Sequence, residues 1–357
     1  MNNYDHVRSY DSEGDLRHTR TRNPEFESVS TDEQSNILFA SNTIPALPDI
    51  QTAVSNLSAS KRRLIIVGGL QNLTSALSVP NISTSDSEPV EIVTYGTTLK
   101  ADSGSPPNTV INHTNTQQAR ISADINGSGV AKGLSVVDTG AGGQYSITAA
   151  SCTEGVRVEG DTEAQKHNHW LKGCDTGVIQ TNSANGNPDE HGYKIVARES
   201  ADCHYRHEAG NADLRLNAEV TNNTGPGGSV YQSSGSLTLN GGVIRGGAAA
   251  GIRAGDGRLR VIGCILTSHG GDGIEFRSGT FGVVDGCEIE DCGSDGVFAT
   301  GTPTAITTSD IRDNSGYGIR SDGTTVDIKQ SNVSGNSSGA TVTTNSGSVT
   351  SDSFTGV

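Results

Sequence analysis

Two groups of residues in this 357-residue chain have types and spacings suited to chemistry. The denser runs Lys166-His167-Asn168-His169-Trp170, then Lys172, Asp189 and His191, then His204-Tyr205-Arg206-His207-Glu208. It holds the only tryptophan and five of the nine histidines. Alternate residues of a strand share a face, so His167 and His169 belong together. An aromatic platform among polar donors is how proteins grip sugars or a partner surface. His167, His169, Trp170, Lys172, Asp189, His191, His204, Tyr205, Arg206 and His207 are therefore the candidate ligand- or receptor-binding residues. Clustered imidazoles could also hold a metal, but their spacing defines no ligand set, and no metal or cofactor is expected.

The second group is Asp272 and Asp295, which precede equivalent glycines one repeat apart. Stacked repeats would bring their carboxylates to about 5 Å, the separation a retaining glycosidase uses. The bland reading is a solvated acidic turn. No catalytic residue is assigned, and these two are the only candidates.

What must position both groups is a repeat. A small residue before an apolar one recurs at Gly155-Val156, Gly177-Val178, Gly228-Ser229, Gly251-Ile252, Gly273-Ile274, Gly296-Val297 and Gly318-Ile319, mostly at steps of 22 or 23. Seven residues before the later glycines stands an apolar column, Ile244, Leu266, Ile289 and Ile311, continued by Val333 and Phe354. A period of 22 accommodates three short strands and three turns per coil, stacked at about 4.8 Å. The glycines are expected to supply backbone freedom at a tight turn. Cys292, Asn314 and Asn336 each follow that column by three, which places stacked asparagines at a turn. Cys264 and Cys287 stack one coil apart, as do Cys152 and Cys174, and Cys203 joins the latter pair if seven residues of 180–191 loop out. Buried free thiols are favoured over disulfides.

The reading is thus an all-β, single-stranded right-handed parallel β-helix of about 22 residues per coil. It carries an N-terminal capping helix and an extended arm. The helix is read from Ile50, Ala53, Val54 and Leu57 at helical spacing behind Asp49 as N-cap. Residues 1–44 form the arm, 45–135 the capping helix and first coils, and 136–357 the regular body.

The net charge of −15, with seven lysines among forty acidic residues, leaves no basic face for nucleic acid and suits a salt-rich setting. The first residues hold no apolar export signal, and no run of about 18 apolar residues predicts membrane insertion.

The segments Gly-Cys-Glu-Ile-Glu-Asp-Cys-Gly-Ser-Asp-Gly-Val (286–297) and Ser-Asp-Ile-Arg-Asp-Asn-Ser-Gly-Tyr-Gly-Ile (309–319) resemble repeats of the pectate-lyase-like superfamily. Residues 47–111 look like the N-terminal part of that superfamily as it occurs in viral tail spikes. The resemblance implies the β-helix fold; one scaffold of this kind hosts lyases, hydrolases, epimerases and binding proteins. Hydrolases of the fold carry paired aspartates and a Gly-His-Gly element, echoed here only by Ser268-His269-Gly270-Gly271-Asp272.

The expectation is a virion spike, tail fibre or baseplate protein, made in the host cytoplasm and displayed on the particle. It would be a homotrimer, joined to other virion proteins through residues 1–44. It would bind a host surface glycan or surface-layer protein, the host being a halophilic archaeon. The alternatives are a polysaccharide lyase or glycoside hydrolase, and a cellular surface structural protein.

Overall fold

The structure, a computed structural model, describes residues 37–82, 89–115, 118–139, 142–160, 165–181, 190–220, 228–277 and 279–352. Most of the expected arm, residues 1–36, lies outside them, as does Phe354. The last part of that arm does not hang free. Ile37–Ala40 is a strand paired in parallel with Arg63–Ile66, so the first rung of the β-helix lies upstream of the capping helix.

That helix spans Ile50–Ser55. The Asp49 carboxylate accepts the Thr52 N–H at 2.9 Å and so caps the first turn. Ile50, Ala53 and Val54 are buried against the first coils, closing the apolar end of the stack.

Beyond it the chain winds as a right-handed parallel β-helix. A twelve-stranded sheet takes one short strand from each coil, from Leu77–Ser78 to Gly339–Thr344. The rest of each coil feeds an eighteen-stranded sheet that turns a corner. In the middle coils the corner lies inside one strand, as at Gly263 of Gly257–Thr267; later it divides the strand into Thr280–Asp285 and Glu288–Glu290.

Parallel register stacks like on like. Ile111, Leu134, Val156, Val178, Tyr205, Val230, Ile252, Ile274, Val297 and Ile319 form one inward column of the short sheet. Every member is fully buried. Each aliphatic rung contributes about 1.5–3 kcal/mol, and the repeat converts that into stability along the whole axis.

Register corrects two expectations. Val178 pairs with Tyr205 and Tyr205 with Val230, so two successive coils are lengthened. Ser229, not Gly228, therefore occupies the repeat's small-residue position. Cys203 pairs with Thr176, two places beyond the column of Cys152 and Cys174. All six cysteines are free and buried.

The column glycines also have a different cause from the one expected. Gly155 and Gly177 do not adopt positive φ. A Cβ at Gly155 would lie 2.6 Å from the Gly177 carbonyl oxygen, and one at Gly177 would lie 2.3 Å from that of His204. Adjacent coils approach too closely there for any side chain.

The asparagine ladder is present. Asn314 Oδ1 accepts the Cys292 N–H and Asn336 Oδ1 the Asn314 N–H, both at 3.0 Å. A second ladder runs at the other corner, where Ser309 Oγ accepts the Cys287 N–H and Ser331 Oγ the Ser309 N–H. Turn backbone that no strand can pair is satisfied by the coil above.

Candidate binding surfaces

The sequence-predicted set divides between the inside and the outside of the tube. In Lys166–Lys172, Leu171 is buried, and His167 and His169 share its parity; all three enter the lumen, while Trp170 and Lys172 face outward. In Cys203–Ala209, Tyr205 and His207 are inside and Arg206 is outside. His204 fills the place that glycine holds on other coils and is also buried, with Nδ1 2.7 Å from Ser200 Oγ. His167, His169, His204, Tyr205 and His207 are thus packed in the core and closed to a surface ligand in this conformation. Of the set, Trp170, Lys172 and Arg206 reach the outer surface. Asp189 and the His191 side chain lie outside the described residues.

The inward residues interrupt an aliphatic column. Ile92 and Ile121 lead to Tyr145, His167 and Tyr193, and the column then returns to Leu214, Leu239 and Val261. His167 stacks on both tyrosines, with centroids 5.1 Å away at Tyr145 and 4.5 Å away at Tyr193. His113 Nδ1 lies 2.8 Å from the Tyr145 hydroxyl, and His167 Nδ1 lies 3.1 Å from His169 Nε2. Further along, the Tyr205 hydroxyl donates to Gln180 Oε1 at 3.0 Å, and His207 Nε2 lies 3.1 Å from the Gly210 carbonyl oxygen. Of these rings, Tyr193, Tyr205 and His207 fall on the two lengthened coils, while Tyr145 and His167 are an ordinary 22 residues apart.

Burial holds His169 and His204 neutral, depressing them to about 3 and about 4. His269 is likewise pushed down to about 4 by burial. It sits one coil before Cys292 in the asparagine column, and its Nε2 donates to the Ile244 carbonyl at 3.2 Å. That is the bond Asn336 Nδ2 makes to Ile311 two coils past Cys292. His269 therefore does a ladder asparagine's work.

Asp272 and Asp295 occupy equivalent turns, and each carboxylate staples the next coil. Asp272 Oδ1 accepts the Asp295 N–H at 2.9 Å, and Asp295 Oδ1 accepts the Tyr317 N–H at 2.8 Å. Burial raises the Asp295 carboxyl, with the Tyr317 N–H opposing.

Two outer surfaces carry polar chemistry. The short sheet presents the column Arg206, Tyr231, Arg253, Glu275, Phe298 and Arg320. Arg206 lies over the Tyr231 ring at 5.7 Å, Arg320 lies over Phe298 at 4.8 Å, and Arg253 pairs with Glu275 at 2.5 Å. The long sheet presents three adjoining shallow hollows, of about 350, 390 and 360 Å³, across the coils of Arg120, Gln144, Lys166, Gly192 and Asp213. Of these surfaces the sequence reading touched only Arg206, Lys166 and Asn168, because each surface is assembled from residues a whole coil apart.

Residues 226–356 match the family model described as a right-handed beta helix region. Among solved structures, the A-module of Azotobacter vinelandii mannuronan C-5 epimerase AlgE4 aligns over 85% of this chain and 94% of its own, at 11% identity and a TM-score of 0.45. ORF18 of Geobacillus virus E2 aligns over 86% of this chain at 14% identity and a TM-score of 0.34, and this chain spans 56% of that protein's length. No curated protein matches the sequence.

Proposed function

We propose that this protein is a virion surface component, a spike, fibre or baseplate protein. In this reading it attaches to a host cell-surface glycan or surface-layer protein through the outer face of its β-helix. The observation that supports it is the arginine–aromatic ladder of the short sheet, with Tyr231 and Phe298 each under a guanidinium. Such a ladder offers an apolar platform edged by fixed donors, which suits the face of a sugar ring and its hydroxyl or acidic groups. The part of residues 1–44 upstream of Ile37 would then dock the chain on the particle, and three copies would cover one another's exposed edges. The acidic surface fits a host living in high salt.

The test uses the full chain and host cells. Tyr231→Ala with Phe298→Ala is expected to weaken attachment about tenfold or more, a loss typical of aromatic anchors, without lowering the unfolding temperature. Attachment at full strength overturns the reading, as does the chain's absence from purified particles by mass spectrometry.

A second reading, cleavage of a polysaccharide, draws on the raised Asp295 carboxyl beside Asp272. It expects polymer shortening that Asp295→Asn abolishes; unchanged polymer length after prolonged incubation rejects it.

A further inference from the structure

The long sheet has an outward column in which a glycine interrupts long polar side chains. Arg120, Gln144, Lys166, Gly192 and Asp213 occupy it on five successive coils. Gly192 lies within Glu190–Arg198, its φ is not positive, and a Cβ built there meets none of the described residues within 4 Å. Neither conformation nor crowding requires glycine at this position. In a strand it weakens the local structure by about 0.5–1 kcal/mol relative to alanine, and an unforced glycine often marks where another molecule approaches the backbone.

Cations surround the gap. Lys166 is on the preceding coil, Lys194 two residues along the same strand, and Arg215 beside Lys194 on the next coil. All three are exposed, and among the described residues none has an ion pair or head-group hydrogen bond. Elsewhere on the long sheet's outer face Arg63 and Arg120 are engaged with Glu91, and Arg312 with Glu288 and Glu290, while Arg245 and Arg260 on later coils stand without an ion pair among the described residues. In a chain of net charge −15, three cations against the single carboxylate of Asp213 around a side-chain gap form a local reversal of field. The hollow bounded by Gly192, Lys194, Asp213, Arg215 and Asn240 measures about 390 Å³ and meets a second at Gly192 and Asp213.

By register Lys166, Lys194 and Arg215 stand at three positions around the gap, with Asp213 opposite Gly192 on the next coil, and three separated donors suit the spread terminal oxygens of a tetrahedral oxyanion ester. A planar carboxylate is better met edge-on by one guanidinium fork. Gln144, Asn168 and Asn240 flank the gap with amides that can bond sugar hydroxyls. Coils about 4.8 Å apart keep pace with an extended sugar chain laid along the axis. We infer that the groove over Gly192 is a binding site for a linear sulfated glycan, with one sulfate ester seated among Lys166, Lys194 and Arg215. This goes beyond the attachment reading and uses a different face from its arginine–aromatic ladder.

The test is calorimetric titration of the full chain with κ-carrageenan oligosaccharides, their desulfated counterparts, a polyuronate and polyphosphate. The sulfated oligosaccharide is expected to bind at least about tenfold more tightly than the other three. Gly192→Gln refills the column without changing charge and is expected to lower that affinity about tenfold without lowering the unfolding temperature. Lys194→Ala with Arg215→Ala should do the same and flatten the salt dependence. Tyr231→Ala with Phe298→Ala should leave it intact, which separates this site from the attachment ladder. Undiminished affinity in Gly192→Gln overturns the assignment. Equal binding of polyuronate or polyphosphate overturns the sulfate selectivity, and no binding of the sulfated chain overturns the site while leaving the attachment reading standing.

Discussion

His167 lies flat against Tyr193 of the next coil, with ring centroids 4.5 Å apart and planes 14° from parallel. Tyr145 stacks on its other side, so three rings replace three aliphatic rungs at the middle of the lumen. His167→Ala should leave a ring-sized void between two tyrosines and cost about 2–4 kcal/mol. His167→Leu, which continues the aliphatic column, should cost less. Equilibrium unfolding in denaturant measures both; an alanine variant as stable as the parent would show that the stack holds nothing together.

Acid should loosen the same region. His169, His204 and His269 are depressed by burial from 6.5 to about 3, 4 and 4. Because the folded values lie below the unfolded one, the stabilisation is fully present above about pH 6.5 and is lost as pH falls towards 4. Each group can contribute on the order of 3 kcal/mol across that window. Unfolding free energies between pH 7 and pH 4 should therefore fall steeply. His269→Asn, which can keep the bond to Ile244, should reduce the slope by one proton; an unchanged slope would mean that His269 titrates normally.

Much of this architecture was legible in the residues, for a simple reason. Twenty-two-residue periodicity of Gly-apolar pairs reports stacking directly, and Ile244, Leu266, Ile289 and Ile311 do pair in that register. Register was lost where two coils lengthen in succession, since the spacing from Gly177 to Gly251 does not say how the extra residues are shared. The inward course of His167 and His169 was readable from Leu171, which has their parity, but polarity argued for the surface. Inside the tube a neighbouring ring meets one nitrogen of His169 and a hydroxyl one nitrogen of His204, while the second nitrogen of each is buried without a hydrogen bond among the described residues. Burial keeps both rings neutral, and polarity in the sequence does not report that. Gly192 gave no signal by itself: a lone strand glycine acquires meaning only when the column above and below it is known.

The ladders at the turns can be tested one rung at a time. Asn314 Oδ1 accepts the Cys292 N–H, while its amide donates to Asn336 Oδ1 at 2.8 Å. Asn314→Ala strands a buried N–H and should cost about 1–3 kcal/mol. Amide exchange at Cys292 should accelerate accordingly. If exchange there stays as slow as in neighbouring strands, the ladder is not what protects the turn.

Two glycines that look alike in sequence should respond oppositely to one methyl group. Gly177 and Gly192 both sit in strands, and neither has positive φ. A Cβ at Gly177 would lie 2.3 Å from the His204 carbonyl oxygen, a backbone atom tied into the next coil, so relief requires the coils to part. Gly177→Ala should therefore destabilise by about 1–3 kcal/mol, as overpacking does. At Gly192 a Cβ meets none of the described residues, so Gly192→Ala should gain about 0.5–1 kcal/mol from reduced freedom of the unfolded chain. Thermal melts of the two variants beside the parent decide the matter. A Gly192→Ala variant that melts lower would mean that backbone and not ligand access selects glycine there, and it would remove one support of the sulfated-glycan site.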